Sequence, residues 1–414
     1  MRRRQFLGLM AALAAAGAAA PAAIRPARAA DPLRLGRWRP AANPSAPASY
    51  VALEWRYLAG RITTASEDFG FVISLADYNP LDLRPLPSPI NWNYQELLVM
   101  RQDFTGAGAH VTRTYRGGIA GGGLAYDEAS ATYSFVADDD PAVTATWHFD
   151  EQAGAYSLSV ATPELTLNNL LLTPVGQLIQ EGGAATISSG ELVVNGVPVT
   201  VSSEYYADWV ALSEGGEPLG YARLDMQTLK PALGEGGGGS GDTDFSHHWF
   251  CLACTLEDDT PAWVSAWQIV SGDQPAWGVT IATGREAGWS VRSVTEQSFS
   301  GVQPLALQIL EWQPVPATTP ARRTGKRWRL FHGVSALGDA LNLELSVPEG
   351  QFVQGARIST LTEIAMQESA GVTASGTIGG RAIKSVAFVM AESTHTELEP
   401  TGLPRRAFLP SVTR

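Results

Sequence analysis

The chain has few of the residues that build redox or metal sites, with 2 cysteines and 6 histidines among 414 residues. Helical periodicity is almost absent, and beyond the N-terminal region no apolar run reaches the roughly 18 residues that a membrane-spanning helix needs. Basic side chains are also scarce, with 29 against 41 acidic ones. An acidic surface repels phosphate backbones, so we expect no nucleic-acid partner. The sequence predicts neither a metal site nor a cofactor.

The two cysteines do not fit a disulfide or a redox motif. Cys251 and Cys254 lie in the strand-like run Trp249–Leu256, where three residues span about 10 Å, beyond the roughly 7 Å limit on the Cα separation of a disulfide. A redox Cys-x-x-Cys needs a strand-to-helix context, which is missing. We therefore expect two buried thiols.

The N-terminus has the features of an export signal. Arg3 and Arg4 precede a Phe-Leu pair, a mild alanine-rich apolar run follows, and Ala27–Ala29 forms a small-x-small cleavage pattern. This arrangement predicts a twin-arginine signal peptide at residues 1–29. Cleavage would remove arginines and no acids, so the mature chain would be more acidic than the net charge of −12. We expect a periplasmic or otherwise extracytoplasmic protein, with peripheral membrane association left open.

Short alternating or β-rich runs separated by Gly, Pro, Asn and Asp indicate an antiparallel all-β fold with few short helices. Asn195-Gly196 predicts a tight hairpin. Residues 361–370 and 174–180 are the two segments for which a brief helix is the alternative to a strand. The predicted strands are Val51–Arg61, Phe69–Ala76, Leu97–Phe104, Thr132–Val136, Val143–Phe149, Tyr156–Ala161, Glu191–Val194, Trp249–Leu256, Trp263–Val270, Trp289–Val294, Leu305–Trp312, Lys326–Phe331, Leu341–Ser346 and Ile383–Ala391.

A glycine-rich stretch divides the β-rich chain into two halves. Residues 234–241 read GEGGGGSG, a composition typical of a flexible linker. It predicts a first domain at 45–233 and a second at 242–396, with a tail at 397–414. Each half is long enough to close its own β-barrel.

Two segments carry a resemblance to a known family. Residues 54–62 read EWRYLAGRI and are followed by FGF at 69–71, while 248–250 read HWF. The first pattern resembles the opening of the AttH and carotenoid 1,2-hydratase (hydroxyneurosporene synthase) family, and the second resembles the strand that leads into its rear half. The resemblance implies two tandem lipocalin-like (calycin) β-barrels. It also implies a hydrophobic ligand of the isoprenoid, polyene or lipid class, with hydratase or cyclase chemistry among the family's activities.

The chain departs from the family at two positions. Arg56 stands where the family has a second tryptophan, and Ala207 stands where its acid-His-x-Trp segment has histidine. The tryptophan of that segment survives as Trp209, and an acid, Asp208, precedes it. These departures favour ligand binding, or an altered reaction, over carotenoid hydration itself.

Adding water to an isolated double bond needs an acid that protonates carbon, a wall that stabilises the cation, and a placed water. Asp208 is the first candidate acid, because an apolar pocket keeps a carboxyl protonated, and Glu54 is the second. His247 or His248 is a candidate for passing the proton. Since consecutive strand residues face opposite ways, at most one of the two histidines enters a given pocket.

Aromatic rings stabilise a cation through their π-faces. The sequence predicts that the Asp208 carboxyl lines an inter-domain or barrel cavity rimmed by Trp55, Tyr57 and Trp209. Two alternatives are packing of these rings in a barrel core and a simple ion pair between Glu54 and Arg56. The aromatic candidates are Trp55, Tyr57, Tyr205, Tyr206, Trp209, Trp249 and Trp267.

Three functions remain open from the sequence. The chain is expected to bind an extended apolar molecule, to act on that molecule as a hydratase or cyclase, or to serve as a structural or assembly protein of the cell envelope without a small-molecule ligand.

Overall fold

A computed structural model describes the chain at residues 53–78, 94–105, 109–117, 122–127, 129–150, 152–175, 179–180, 187–194, 197–230, 245–271, 274–284, 290–295, 305–315, 321–332, 341–348, 352–359, 362–369, 371–393 and 397–398. Every helix or strand within these ranges is a β-strand, so the predicted all-β class is confirmed. None of the described segments forms a helix with the length and hydropathy needed to span a bilayer. The predicted signal peptide, linker and most of the tail lie outside the described residues.

The strands of the first half are β1 (Leu53–Thr63), β2 (Asp68–Tyr78), β3 (Tyr94–Asp103), β4 (His110–Gly117), β5 (Gly123–Asp127), β6 (Thr132–Val136), β7 (Thr144–Asp150), β8 (Ala155–Ala161), β9 (Thr166–Pro174), β10 (Ile179–Gln180), β11 (Ile187–Val194), β12 (Val197–Glu214) and β13 (Glu217–Lys230). Those of the second half are β14 (Phe245–Leu256), β15 (Pro261–Ser271), β16 (Gln274–Thr283), β17 (Ser290–Thr295), β18 (Ala306–Val315), β19 (Arg322–His332), β20 (Leu341–Ser346), β21 (Phe352–Ser359), β22 (Thr362–Ser369), β23 (Thr373–Ile378), β24 (Arg381–Ser393) and β25 (Glu397–Leu398).

The first half forms a nearly closed antiparallel barrel. Its strands follow the order β4-β3-β2-β1-β13-β12-β9-β8-β7-β6-β5, with β10 and β11 added on β12. The two ends of this path meet, because the amide of Asp138 donates to the carbonyl of Arg116 at 2.8 Å and the amide of Leu124 donates to Gln95 Oε1 at 2.6 Å. Closure in this way leaves few unpaired strand edges.

The core of the first barrel follows from strand alternation. Along β7, buried residues alternate with more exposed ones, which is the pattern of a strand with one face toward an apolar interior. Trp147, Tyr156, Leu158 and Leu224 are each at most 1% exposed and belong to one hydrophobic cluster inside the barrel. At about 25 cal/mol per Å² of apolar surface, burial on this scale is the main source of stability.

The second half forms another antiparallel sheet around its own core. Its strands follow the order β17-β16-β15-β14-β24-β23-β20-β19-β18, with β21, β22 and β25 off this path. Phe250, Leu252, Trp328 and Leu343 lie in the apolar cluster that this sheet surrounds. The two sheets thus lie in tandem: the first is a nearly closed barrel and the second is a half-barrel around its own core, which we call the second barrel.

A third cluster joins the two halves. It contains Ala59 and Trp209 from the first barrel and Trp249, Phe388 and Met390 from the second, all buried. These residues lie on the outer faces of their barrels, because their strand neighbours fill the barrel interiors. The outer faces of β1, β12, β14 and β24 therefore form the described contact between the barrels.

Two local expectations were tested by the strand pairing. The hairpin predicted at Asn195-Gly196 is confirmed, because Val194 pairs directly with Val197. The short helices considered at 361–370 and 174–180 are wrong, since β22 pairs with β21 and β24 and since β10 pairs with β12. Segments this short form helices of little stability on their own. As strands, they pair their backbone N–H and C=O groups with those of the neighbouring strand.

Candidate functional site

The interior of the first barrel contains a buried carboxyl group. Asp208 on β12 is 0% exposed, and Val210 and Leu212, two and four residues further on, belong to the barrel core. Side chains two apart on a strand share a face, so Asp208 faces the same interior. The hydroxyl of Tyr156 donates to Asp208 Oδ2 at 3.4 Å, a long contact that brings the phenol within reach of the carboxyl group.

A buried guanidinium lies in the same interior. Arg56 on β1 is 1% exposed, and its guanidinium carbon lies 4.4 Å from the ring centroid of Tyr133 and 5.9 Å from that of Trp147. Both rings belong to the core of the first barrel. Aromatic faces attract a cation and partly replace the water it has lost. Arg56 thus places a positive charge inside the barrel.

The indole of Trp147 adds an unsatisfied donor to this group. Trp147 is 1% exposed, and its Nε1 has no hydrogen-bond acceptor among the residues that the structure describes. A buried donor without a partner costs about 1–3 kcal/mol. The interior of the first barrel therefore holds polar and charged groups that a core packed only with apolar side chains would not contain. We define the interior site as Arg56, Tyr133, Trp147, Tyr156 and Asp208.

Four of the aromatic residues predicted from the sequence gather elsewhere, in the contact between the barrels. Trp209, Trp249 and the half-buried Tyr57 and Trp267 all belong to or pack on the joining cluster. The hydroxyl of Tyr57 contacts Met390 Sδ at 3.2 Å, and its ring meets Trp249 edge-on with centroids 5.8 Å apart.

The expectation that Asp208 shares a cavity with Tyr57 and Trp209 is therefore wrong. Asp208 and Trp209 are consecutive residues of β12, and consecutive strand residues point to opposite faces. The first faces the barrel interior, and the second packs against Trp263 of the second barrel with centroids 5.2 Å apart.

A buried ion pair accompanies these aromatics. Arg223 Nε lies 2.7 Å from Asp225 Oδ1, and the two side chains are 0% and 6% exposed. The guanidinium carbon of Arg223 lies 5.7 Å from the ring centroids of both Trp209 and Trp249. Charged pairs that lose their water are stabilised by close hydrogen bonds and by aromatic faces. This ion pair is part of the contact between the barrels and lies outside the interior site.

His248 is separated from Asp208 as well. It is 4% exposed, and its Nδ1 lies 3.0 Å from the hydroxyl oxygen of Ser393. Its ring meets Trp328, a core residue of the second barrel, at a centroid distance of 5.3 Å. The structure therefore places this histidine inside the second barrel rather than beside the candidate acid.

The other sequence candidates have no described side chains. Glu54 and Trp55 lie on β1, Tyr205 and Tyr206 on β12, and His247 on β14, but their side chains lie outside the described set. Their roles remain predictions.

Both cysteines are buried free thiols, as predicted. Cys251 belongs to the cluster that joins the barrels, and Cys254 belongs to the core of the second barrel. Burial raises the pKa of both thiols, that of Cys254 to about 12.

The sequence did not predict the contact of Asp208 with Tyr156. Alternation along β7 and β8 is visible in the sequence and places Trp147 and Tyr156 on inward faces. The contact of Tyr156 with Asp208 depends on β9 lying between β8 and β12 in the sheet. It joins residues 52 positions apart, and no local pattern contains that arrangement.

The chain was compared with known proteins. No protein-family model and no curated protein sequence matches it. A solved structure from Nitrosomonas europaea, provisionally named AttH, is 18% identical over 83% of this chain and 92% of its own length, with a TM-score of 0.50. Kievitone hydratase from Nectria haematococca is 13% identical over 84% of this chain and 90% of its own length, with a TM-score of 0.44. The first likeness shows that the chain has the AttH type of lipocalin-like fold.

Proposed function

We propose that this chain binds a hydrophobic small molecule of the isoprenoid, polyene or lipid class in its first barrel and acts on it as a hydratase or cyclase. The observation that carries the proposal is the burial of Asp208 within reach of the Tyr156 hydroxyl, in an interior that also holds Arg56. The AttH type of fold supports the proposal, since lipocalin-like barrels accommodate single apolar ligands.

The free-energy cost of burying Arg56 and Asp208 supports a functional role for these two side chains. Burying a polar or charged group costs free energy that an apolar side chain of similar volume does not cost. A barrel selected for stability alone gains nothing from Arg56 and Asp208 in its core. Titratable groups in such positions are enriched at functional sites, where burial sets their protonation for proton transfer.

The proposed hydration uses the Asp208 carboxyl as both acid and base. The carboxyl gives its proton to one alkene carbon, which leaves a cation on the other carbon. The oxygen of a water molecule bonds to that cation and returns one proton to the carboxylate, so one water is added and the acid is restored. Tyr156 holds the carboxyl in place. Because the faces of Tyr133 and Trp147 contact Arg56, the π-face for the cation is that of Phe149, whose ring centroid lies 4.9 Å from that of Tyr156. In a cyclisation, a second double bond of the ligand attacks this cation in place of water and forms a carbon–carbon ring bond, and the new cation then loses a proton to the carboxylate.

The ligand and the reaction are tested on the protein purified from its native host. Solvent extraction and mass spectrometry should recover a stoichiometric apolar molecule, and that molecule then serves as substrate or product. Asp208→Asn should lower turnover by at least about 100-fold, the usual contribution of a general acid or base, without changing the melting temperature by more than a few degrees. Recovery of solvent alone would favour the structural or assembly role.

Two tyrosines provide a matched control for the position of the site. Tyr156→Phe removes the hydroxyl that donates to Asp208, whereas Tyr57→Phe removes a hydroxyl in the contact between the barrels. We expect slower turnover for the first variant and unchanged turnover for the second. Equal loss in both variants would contradict a site inside the first barrel.

Export by the twin-arginine route is part of the proposal. The paired arginines at positions 3 and 4 and the small-x-small cleavage pattern support it. Replacing both arginines by lysine should retain the full-length precursor in the cytoplasm, and N-terminal sequencing of the exported form should begin near residue 30. Normal export of the double-lysine variant would contradict this route.

A further inference from the structure

The second barrel carries a row of three polar side chains across adjacent strands of its inner face. His248 on β14 pairs directly with Ser393 on β24 and with Gln268 on β15, and the three are 4%, 1% and 8% exposed. The hydroxyl oxygen of Ser393 lies 3.0 Å from His248 Nδ1. Gln268 Nε2 donates to the carbonyl of Leu305 at 2.8 Å across the sheet.

The indole of Trp328 lies against this row. Its ring meets that of His248 at 80°, with centroids 5.3 Å apart. Trp328 is 0% exposed, and within the described part of the chain its Nε1 has no hydrogen-bond acceptor. A buried N–H in this state destabilises the folded protein, and a bound oxygen atom that accepts its hydrogen bond removes that cost.

The residues deeper in the barrel are apolar. The next inward-facing position of β14 is Phe250, which pairs with Ala266 and Ala391, and Leu252 follows between Val264 and Val389. The polar row therefore marks the border between one end of the barrel and an apolar interior. Such a border suits a molecule with one oxygen-bearing group and an apolar body.

We propose that Trp328, Ser393 and His248 form a second binding site, which takes the carbonyl oxygen of a neutral, otherwise apolar ketone or ester. A carbonyl oxygen has two lone pairs, so it accepts one hydrogen bond from the Trp328 N–H and one from the Ser393 hydroxyl. In the tautomer that has its proton on Nδ1, His248 donates to the Ser393 hydroxyl oxygen, so the hydroxyl proton points to the carbonyl oxygen of the ligand. The site lies in the other barrel from Asp208 and does not depend on the reaction proposed there.

Nuclear magnetic resonance of the full protein labelled with ¹⁵N-tryptophan tests this site. Each indole gives one Nε1–H signal, and Trp328→Phe identifies the relevant one. Titration with 2-decanone should shift the Trp328 signal downfield in a saturable way, whereas decane should leave it unchanged. The Trp147 signal reports on the first barrel, so binding at the two sites can be distinguished.

Two serine variants provide the matched comparison. Ser393→Ala removes the proposed donor and should weaken ketone binding about five- to tenfold, the value of one net hydrogen bond. Ser265→Ala removes another buried hydroxyl, on the adjacent strand β15 and three residues from Gln268, so it should leave the affinity unchanged. Circular dichroism of both variants should match that of the parent protein if they fold normally.

Three results would overturn the proposal. The first is an equal response of the Trp328 signal to decane and 2-decanone. The second is a response confined to Trp147. The third is a Trp328 indole that exchanges magnetisation with a buried water and ignores the ketone, because the donor would then be satisfied by water alone.

Discussion

The guanidinium of Arg223 in the first barrel packs against the indole of Trp249 in the second, with 5.7 Å between the guanidinium carbon and the ring centroid. Trp209 lies at the same distance, and Asp225 binds Arg223 Nε at 2.7 Å. A fully buried ion pair thus lies beside aromatic rings from both barrels. We infer that the stabilities of the two barrels are coupled through this contact.

Breaking this ion pair from one side should destabilise the protein strongly. Arg223→Met leaves the carboxylate of Asp225 buried without its guanidinium, and loss of one partner of a buried pair costs about 3–5 kcal/mol. The double variant Arg223→Met/Asp225→Leu should recover much of that loss, because it removes both charges. Urea denaturation of the three proteins measures the free energies of unfolding.

An exposed ion pair serves as the control. Arg329 and Glu344 form a salt bridge on the second barrel with side chains 48% and 38% exposed, and exposed pairs contribute about 0–1 kcal/mol. Arg329→Met should therefore cost far less than Arg223→Met. Similar costs for the two variants would show that Arg223 does not act as a buried charge.

The buried thiols should report on separation of the barrels. Desolvation raises the pKa of Cys251, which also lies near Arg223, and raises the pKa of Cys254 to about 12. Since the thiolate is the reactive form, the folded protein should not react with iodoacetamide at pH 8, whereas the unfolded chain should react at both positions.

The two thiols should respond differently to loosening of the contact. Cys251 belongs to the joining cluster, and Cys254 belongs to the core of the second barrel. Arg223→Met should therefore expose Cys251 first, which mass spectrometry of labelled peptides can measure. Faster labelling of Cys254 than of Cys251 would contradict this placement.

Most of the fold was predictable from the sequence because antiparallel strands carry a local signal. Thr132–Val136 and Leu341–Ser346 were predicted with the bounds that the structure has, since alternation and flanking turn residues delimit them. The hairpin at Asn195-Gly196 was predictable for the same reason, although β12 extends to Glu214, well beyond the run that the turn indicated.

The candidate site was only partly predictable. Asp208 was identified, but grouping it with Trp209 ignored the alternation that separates consecutive strand residues. Its contact with Tyr156 bridges 52 positions, and the contact of Arg223 with Trp249 crosses from one barrel to the other. Contacts of this kind depend on how the sheets close and pack, which the local sequence pattern does not determine.

Low pH should destabilise the second barrel, because Asp258 becomes protonated and its stabilising hydrogen bonds and ion pair weaken. Hydrogen bonds from Thr260 and then the Arg381 guanidinium lower the pKa of Asp258 from 3.8 to about 2. The folded state thus binds this proton less readily than the unfolded chain, so the stabilisation is complete above about pH 4 and disappears as the pH falls through 2.

Carboxyl ¹³C titration of the folded protein measures this pKa directly. Thr260→Val removes the side-chain hydrogen bond and should raise the midpoint of Asp258 toward 3.8. The stability difference between the parent and Asp258→Asn should also vanish at low pH. A midpoint near 3.8 in the parent protein would refute the proposed hydrogen bonding.

A side chain at Gly220 should disrupt the pairing of β1 with β13 in the first barrel. Gly220 on β13 has φ +152°, and a Cβ there would lie 2.1 Å from the carbonyl oxygen of Arg61 on β1. Because that neighbour is backbone, the β1–β13 pairing itself must move to admit alanine, and both the strained φ and the clash destabilise the folded state. Gly220→Ala should therefore lower the melting temperature by several degrees.

Gly154→Asn is the control, since Gly154 has φ +62° and open space around its Cβ position, and asparagine tolerates this conformation. Equal melting temperatures for the two variants would mean that the close approach of β13 to Arg61 is not maintained in solution.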